Sequence, residues 1–233
     1  MKKLFSTLGM MAMVSLCLFT SCKDEDVAAN ANVVIPTFSQ ADLTAAETAA
    51  DVTANTQAAT DANAAVVATG ATKTGETTDA AGVTTTTYDN GTTVVADPEN
   101  NKVTTTEADG TTTEVTVETE YSYEVDGVTY KTMDEVMAAL RNKPAGTVAT
   151  IVTTLTQITT TTKKDKNGNV IGTPEKKTEN KQATSKIEIP QPGQTKQDEI
   201  KIPTSVKTDT TAPVPVTVKT EKGGHSGGNG GNK

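Results

Sequence analysis

The sequence predicts a mainly β fold with one short helix, a small α+β core built on a β-hairpin meander, flanked by low-complexity and partly disordered segments. Three observations predict it. From residue 83 onward Thr and Val dominate, and turn signals punctuate them at Asn90-Gly91, Pro98 to Asn101, Asp109-Gly110, Asp126-Gly127 and Asn167-Gly168. β-Branched residues fit a pleated surface, and Asn-Gly or Asp-Gly supplies the positive φ that tight hairpins require. Between Glu114 and Val125 apolar and acidic residues alternate, and after Thr132 the apolar period changes to that of a helix.

Taken in order, residues 33–82 form an Ala/Thr-rich segment in which Val33-Val34-Ile35-Pro36 has the makings of a short strand. Ser39 followed by Asp42 can start a helix, but the next thirty residues offer Leu43, Val52 and alanines in place of a continuous apolar stripe. The segment reads as either a spacer or a marginal helix. Residues 83–189 are the hairpin region. Thr85 to Thr93 echoes Thr104 to Thr112 at an offset of 19, which suggests duplicated hairpins and falls short of the three units a solenoid needs.

Val115, Val117, Tyr121, Tyr123 and Val125 alternate with Glu114, Thr116, Glu118, Glu120, Ser122 and Glu124, so a strand there sorts one apolar face from one acidic face. A two-residue turn at Asp126-Gly127 sets Val125 opposite Val128 and Tyr123 opposite Tyr130, all expected on the apolar face. Thr132-Met133-Asp134-Glu135 has capping-box spacing, and Met133, Val136, Met137 and Leu140 follow at i, i+3, i+4 and i+7. That places a helix over 133–143, ended by Pro144 and Gly146, with its stripe against the hairpin. Residues 147–162 fit both a helical period and a strand composition, and a strand with an irregularity is the expectation. Residues 190–218 form a Pro-containing extended segment. Within and just before it, Ile187 to Ile189 and Pro213 to Val218 suit edge strands, since proline removes a ladder donor. Residues 219–233 read as a Gly-rich flexible tail.

The first 26 residues carry an address. Lys2 and Lys3 precede an apolar run from Leu4 to Phe19, and small residues Thr20 and Ser21 stand before Cys22. This is the order of a secretory signal peptide, here residues 1–21. A spanning anchor is the weaker reading, because Ser6, Thr7, Gly9 and Ser15 interrupt a run that would need ~20 apolar residues. Cys17 lies inside the signal, so cleavage leaves Cys22 as the only cysteine and no disulfide within the chain.

Leu18-Phe19-Thr20-Ser21-Cys22 resembles the lipobox of bacterial lipoproteins, with Phe19 departing from the usual aliphatic residue as relaxed lipoboxes of Bacteroidota do. The resemblance implies a diacylglyceride on the Cys22 thiol and further acylation such as palmitate, enough for stable anchoring without a spanning helix. Lys23-Asp24-Glu25-Asp26, within an acidic tether of residues 22–32, resembles the export signal of surface-exposed Bacteroidota lipoproteins. That implies the outer membrane with the protein facing the cell exterior, the periplasmic face being the alternative. The segments outside this address resemble no domain family.

Composition then limits function. Loss of residues 1–21 removes two lysines, taking the net charge from −8 to −10, and an acidic surface argues against nucleic acid and anionic lipid as partners. Leu, Ile, Val and Phe make up 34 of the 212 mature residues, too few for one large well-packed globule, and 11 of them fall within residues 115 to 158, where a core is expected to centre.

No residue earns a catalytic, cofactor-binding or metal-binding role. His225, the only histidine, lies among Gly223, Gly224, Gly227 and Gly228, where nothing orients it. Glu118 and Glu120 share a face at a spacing of ~6.6 Å that acid-base carboxylates can use, but they read better as a solvated face. Asp165, Asn167 and Asn169 imitate the start of a calcium loop, with Gly168 misplaced and Lys176 where the closing Glu belongs, so an ordinary hairpin turn is expected. Tyr121, Tyr123 and Tyr130 read as core. Asp209-Thr210-Thr211 resembles the O-glycosylation site of Bacteroidota exported proteins, making Thr210 the candidate acceptor. The expected class is a non-enzymatic, lipid-anchored surface protein with a structural or adhesive role toward an extracellular protein or glycan. A carboxylate-only extracellular enzyme and a membrane-inserting β-hairpin are the alternatives.

Overall fold

A computed structural model describes residues 33–207 and 212–223. Cys22 and its tether, Thr210 and His225 lie outside the described residues. In chain order the elements are β1 Val34–Phe38, α1 Gln40–Ala68, β2 Lys73–Thr78, β3 Thr84–Tyr88, β4 Thr93–Asp97, β5 Lys102–Thr106, β6 Thr112–Val125, β7 Val128–Tyr130, α2 Met133–Leu140, β8 Val148–Lys164, β9 Glu175–Glu188, β10 Thr195–Ile202 and β11 Val214–Lys222. The fold is mainly β, as expected.

Eight strands make an antiparallel sheet in the order β2-β3-β4-β5-β6-β8-β9, with β7 beside β6, and β1-β11-β10 make a second sheet of three. The hairpins follow from their turn residues. Tyr88 N–H donates to Thr92 O, Glu107 N–H to Thr111 O and Asp165 N–H to Asn169 O at 2.9–3.0 Å. Gly91, Gly110 and Gly168 occupy the same place in these turns with φ of 83–86°, a conformation only glycine adopts without strain. The two copies of the internal echo are therefore equivalent turns, and the Asp165 carboxylate accepts from Asn167 and Asn169 in a turn of the same kind.

The central hairpin has the expected register, Tyr123 opposite Tyr130 and Val125 opposite Val128. Val128 is nevertheless 55% exposed, because it sits at the tip of a three-residue edge strand with a neighbour on one side only. The capping box closes at Thr132 and Glu135, and Met133, Val136, Met137 and Leu140 are all buried. The helix ends at Leu140, short of residue 143, where the Arg141 and Lys143 amides turn back to Ala138 and Leu140 in tighter i→i−3 bonds. β8 is a regular strand whose pairing with β6 and β9 shows no register shift, so the expected irregularity is absent. Ala149, Ile151, Thr153, Leu155 and Gln157 are buried at a period of two, which decides against the helical reading.

Of the two readings for residues 33–82, a spacer or a marginal helix, α1 decides for the helix. Twelve of its 29 residues are alanine, the best helix former, and Ser39 caps it by accepting from the Asp42 amide. Leu43, Ala46, Ala50, Ala54 and Val66 are buried on one side. Such small side chains let the helix backbone lie close on the sheet, and polar bonds reinforce the docking. Asn55 Nδ2 donates to the Asp97 carbonyl at 3.1 Å, and the Tyr88 hydroxyl to Asn63 Oδ1 at 2.6 Å. The segment of residues 33–82 is thus strand, helix and strand in place of a spacer.

The tail boundary moves as well. β11 continues through Lys222 and lies between β1 and β10, so it is a central strand. Its Pro215 is tolerated because β1 reaches only to Val218, leaving that side of β11 open at residue 215. The start of α1 then takes over as partner, with Ser39 N–H donating to the Thr217 carbonyl and Thr217 N–H to Asp42 Oδ2. These bonds, the one from Thr217 first, hold the Asp42 carboxyl below its ordinary range.

The main core joins Tyr123, Val125, Val136, Met137, Leu140 and Ile151 to Val34, Leu43, Ile187, Ile200, Ile202 and Val216. Residues 115–158 supply eight of its seventeen buried members and segments nearer the two ends of the chain supply the other nine, so the core is less centred on that segment than composition suggests. A smaller cluster of Val66, Tyr88, Val94 and Val103 lies under the C-terminal half of α1.

Candidate functional site

The odd-numbered residues of β6 face α1, and the even-numbered ones face away. Because α1 is a single slender rod over a wide sheet, it leaves clefts along its sides. One, about 500 Å³, opens between Gln57, Asp61 and Val66 of α1 and the far ends of β5, β6, β8 and β9. Its floor is apolar at Ala58, Ala62 and Val115, and its walls carry hydroxyls and amides from Thr105, Thr113, Gln157, Thr159 and Thr161. Lys177, paired with Glu179 at 3.0 Å, and Lys207 from the loop after β10 add charge at the mouth. Alternation brings this hydroxyl row together. Thr105 of β5 stands opposite Thr113 of β6, and Thr159 and Thr161 of β8 stand opposite Val117 and Val115.

A second cleft, about 430 Å³, lies between the first half of α1, the middle of β6 and the start of α2. Glu47 and Asp51, four residues apart on one side of α1, line it together with Tyr121, Tyr123 and Met133. Thr119 Oγ1 donates to Asp51 Oδ1. Partial burial, and secondly the Asp51 charge, push the Glu47 carboxyl above the ordinary range for glutamate. Burial drives up both tyrosines, Tyr123 to about 12 and Tyr121 further. The Tyr121 hydroxyl donates to the Pro203 carbonyl at 2.8 Å. A third cleft, about 370 Å³, lies across α1, where Asn55, Ala59, Glu76, Thr86 and Pro98 meet.

The residues weighed from sequence fall elsewhere. Glu118 and Glu120 are exposed on the outer face, opposite Ile158 and Thr156 of β8, and line none of these three clefts. Tyr121 and Tyr123 belong to the core, as expected, but also wall the second cleft. Glu47 and Asp51 were missed. Their one visible signal was a like-charged i,i+4 pair in a helix without Lys or Arg, an arrangement that costs stability unless something offsets it. Among the described residues no group of three or more His, Cys, Asp or Glu is placed to hold a metal ion, and no helix is long and apolar enough to cross a membrane. Compared with protein-family models, with curated proteins and with solved structures, the chain finds no match.

Proposed function

We propose that this protein is a non-enzymatic lipoprotein, anchored to the outer membrane through acylated Cys22, that displays the helix-lined face of its sheet to an extracellular glycan or protein. The observation that carries the binding role is the 500 Å³ cleft, whose apolar floor and threonine and amide walls suit a polar chain with apolar faces. The lipobox and acidic tether support the anchor. Eleven residues separate Cys22 from Val34, a reach of at most about 40 Å, so the folded part stays near the membrane while clearing its headgroups.

Two measurements test the reading. Labelled palmitate should enter the wild-type protein and be lost in Cys22→Ala, while protease added to intact cells should shave the protein. Labelling without shaving moves it to the periplasmic face, and absence of labelling overturns the anchor. The purified chain, screened against glycans and peptides, should bind without turnover. Turnover that disappears on changing Glu118 or Glu120 would replace a binding protein with an enzyme.

A further inference from the structure

The smaller cleft has a composition of its own, and it differs from that of the threonine-walled one. Three carboxylates, Glu47, Asp51 and Asp134, line it against one ammonium, Lys131. Phe38, Leu43 and Met133 supply apolar wall, and the Tyr121 and Tyr123 rings stand beside the acids.

Acids alone do not make a site. The second observation is Tyr123 itself, which is only 3% exposed yet borders the cleft. Buried phenols ordinarily find a hydrogen-bond partner. The Tyr88 hydroxyl has Asn63 and that of Tyr121 has Pro203, but the Tyr123 hydroxyl bonds to none of the described residues. The little of Tyr123 that stays exposed includes its hydroxyl, so a donor or acceptor that fills the cleft takes the place of water there.

We propose that this cleft binds an organic cation, a primary ammonium on an alkyl stem. The ammonium sits between Glu47 and Asp51 with the Tyr123 oxygen as a further acceptor, and the stem lies against Phe38, Leu43 and Met133. Each part of the cleft then has a reason. A cation relieves the repulsion between two carboxylates one helical turn apart, and it gives the Tyr123 hydroxyl a partner. A divalent metal ion is a poorer fit, since it asks for a denser cage of oxygens than two carboxylates and a phenol. Two sources share the chemistry, a free alkylamine and a lysine side chain of another protein.

Calorimetry on the full chain with n-butylammonium tests the site, with n-butanol as the neutral analogue of the same shape and a capped Gly-Lys-Gly peptide as the lysine arm. Butylammonium should bind saturably and butanol should not. Glu47→Gln should weaken binding at least about tenfold, as expected for a lost charge-assisted bond. Tyr123→Phe should weaken it severalfold while the melting temperature holds. Peptide tighter than butylammonium identifies a lysine side chain as the ligand, and the reverse identifies a free amine.

The pH profile adds a readout that a merely structural role would not move. Affinity should rise with pH as Glu47 ionises, above the usual glutamate range, and Glu47→Gln should flatten that rise. The other charged or titratable groups facing Glu47 are Asp51 on α1, Tyr121 and Tyr123 on β6, and Lys131 and Asp134 at the start of α2. Equal affinity for butanol, no saturable binding of butylammonium, unchanged affinity in Glu47→Gln, or an equal loss in the outer-face control Glu118→Gln would each overturn the proposal.

Discussion

Thr153 is fully buried between Ile151 and Leu155 on the inner face of β8, and its hydroxyl has no hydrogen-bond partner among the described residues. A chain short of aliphatic residues here uses threonine as a β-branched filler, and an unsatisfied buried hydroxyl is the cost. Thr153→Val keeps the shape and removes the polar atom. It should raise stability by about 1 kcal/mol in urea denaturation, and a loss of stability would mean that the hydroxyl is bonded after all. The same scale explains which site residues were legible. Alternation alone placed Glu118 and Glu120 on one face, and the structure puts them there, exposed to solvent. Glu47 and Asp51 were not legible, because a carboxylate pair on an Ala-rich helix looks solvated until the strand it faces is known. Only the docking of α1 on β6 brings Tyr121, Tyr123 and Thr119 against them.

The two helices show why elements differ in how well they read from sequence. α2 announces itself through Thr132, Glu135 and four large apolar residues at helical spacing, and every one of those signals is used in the structure. α1 presents its buried side mainly as Ala46, Ala50 and Ala54, which differ little in hydrophobicity from the alanines facing solvent, so its periodicity is nearly invisible. What holds it is close approach and specific bonds from Asn55 and Asn63, and both depend on tertiary placement. β8 was ambiguous for the opposite reason. Val148 and Val152 break the alternation with apolar residues on the outer face, where Val148 is 53% exposed. Because α2 is the lid of the central hairpin, Met137, buried in the same core as Tyr123, is a sensitive point in it. Met137→Asp would bury an unpaired charge and should cost ~2 kcal/mol or more in thermal or urea unfolding. It should also open the hairpin to protease, and unchanged resistance would mean that α2 does not cover the hairpin.

At the scale of the whole molecule, the low aliphatic content and the ordered fold are reconciled by how little of the sheet is covered. One long slender helix, the short α2 and a three-stranded sheet shield the inner face, and the clefts lie where that cover runs out. Composition spoke against one large packed globule, and the two separate clusters agree. What composition hid is that four of the main core's five isoleucines, Ile187, Ile189, Ile200 and Ile202, come after the segment that looked richest. Those residues are held by a closure between the two ends of the chain, since β1 pairs with β11 and β11 pairs with β10. The closure makes a specific demand on truncations. A chain ending at Gly223 retains every described strand and should match the full chain in melting temperature. A chain ending at Lys207 lacks β11, so β1 and β10 lose their shared partner, Thr217 no longer meets Ser39 and Asp42, and Ile200 and Ile202 lose the cover of Val216 and Val218. Limited proteolysis followed by mass spectrometry should then show cutting in β1, the first turns of α1 and β10, while β3 to β6 with the smaller cluster outlast them. If the chain ending at Lys207 resisted protease as well as the full chain, the three-stranded sheet would contribute nothing to the core. The inner face of β8 and β9 would then have to be covered by something other than the chain's own ends.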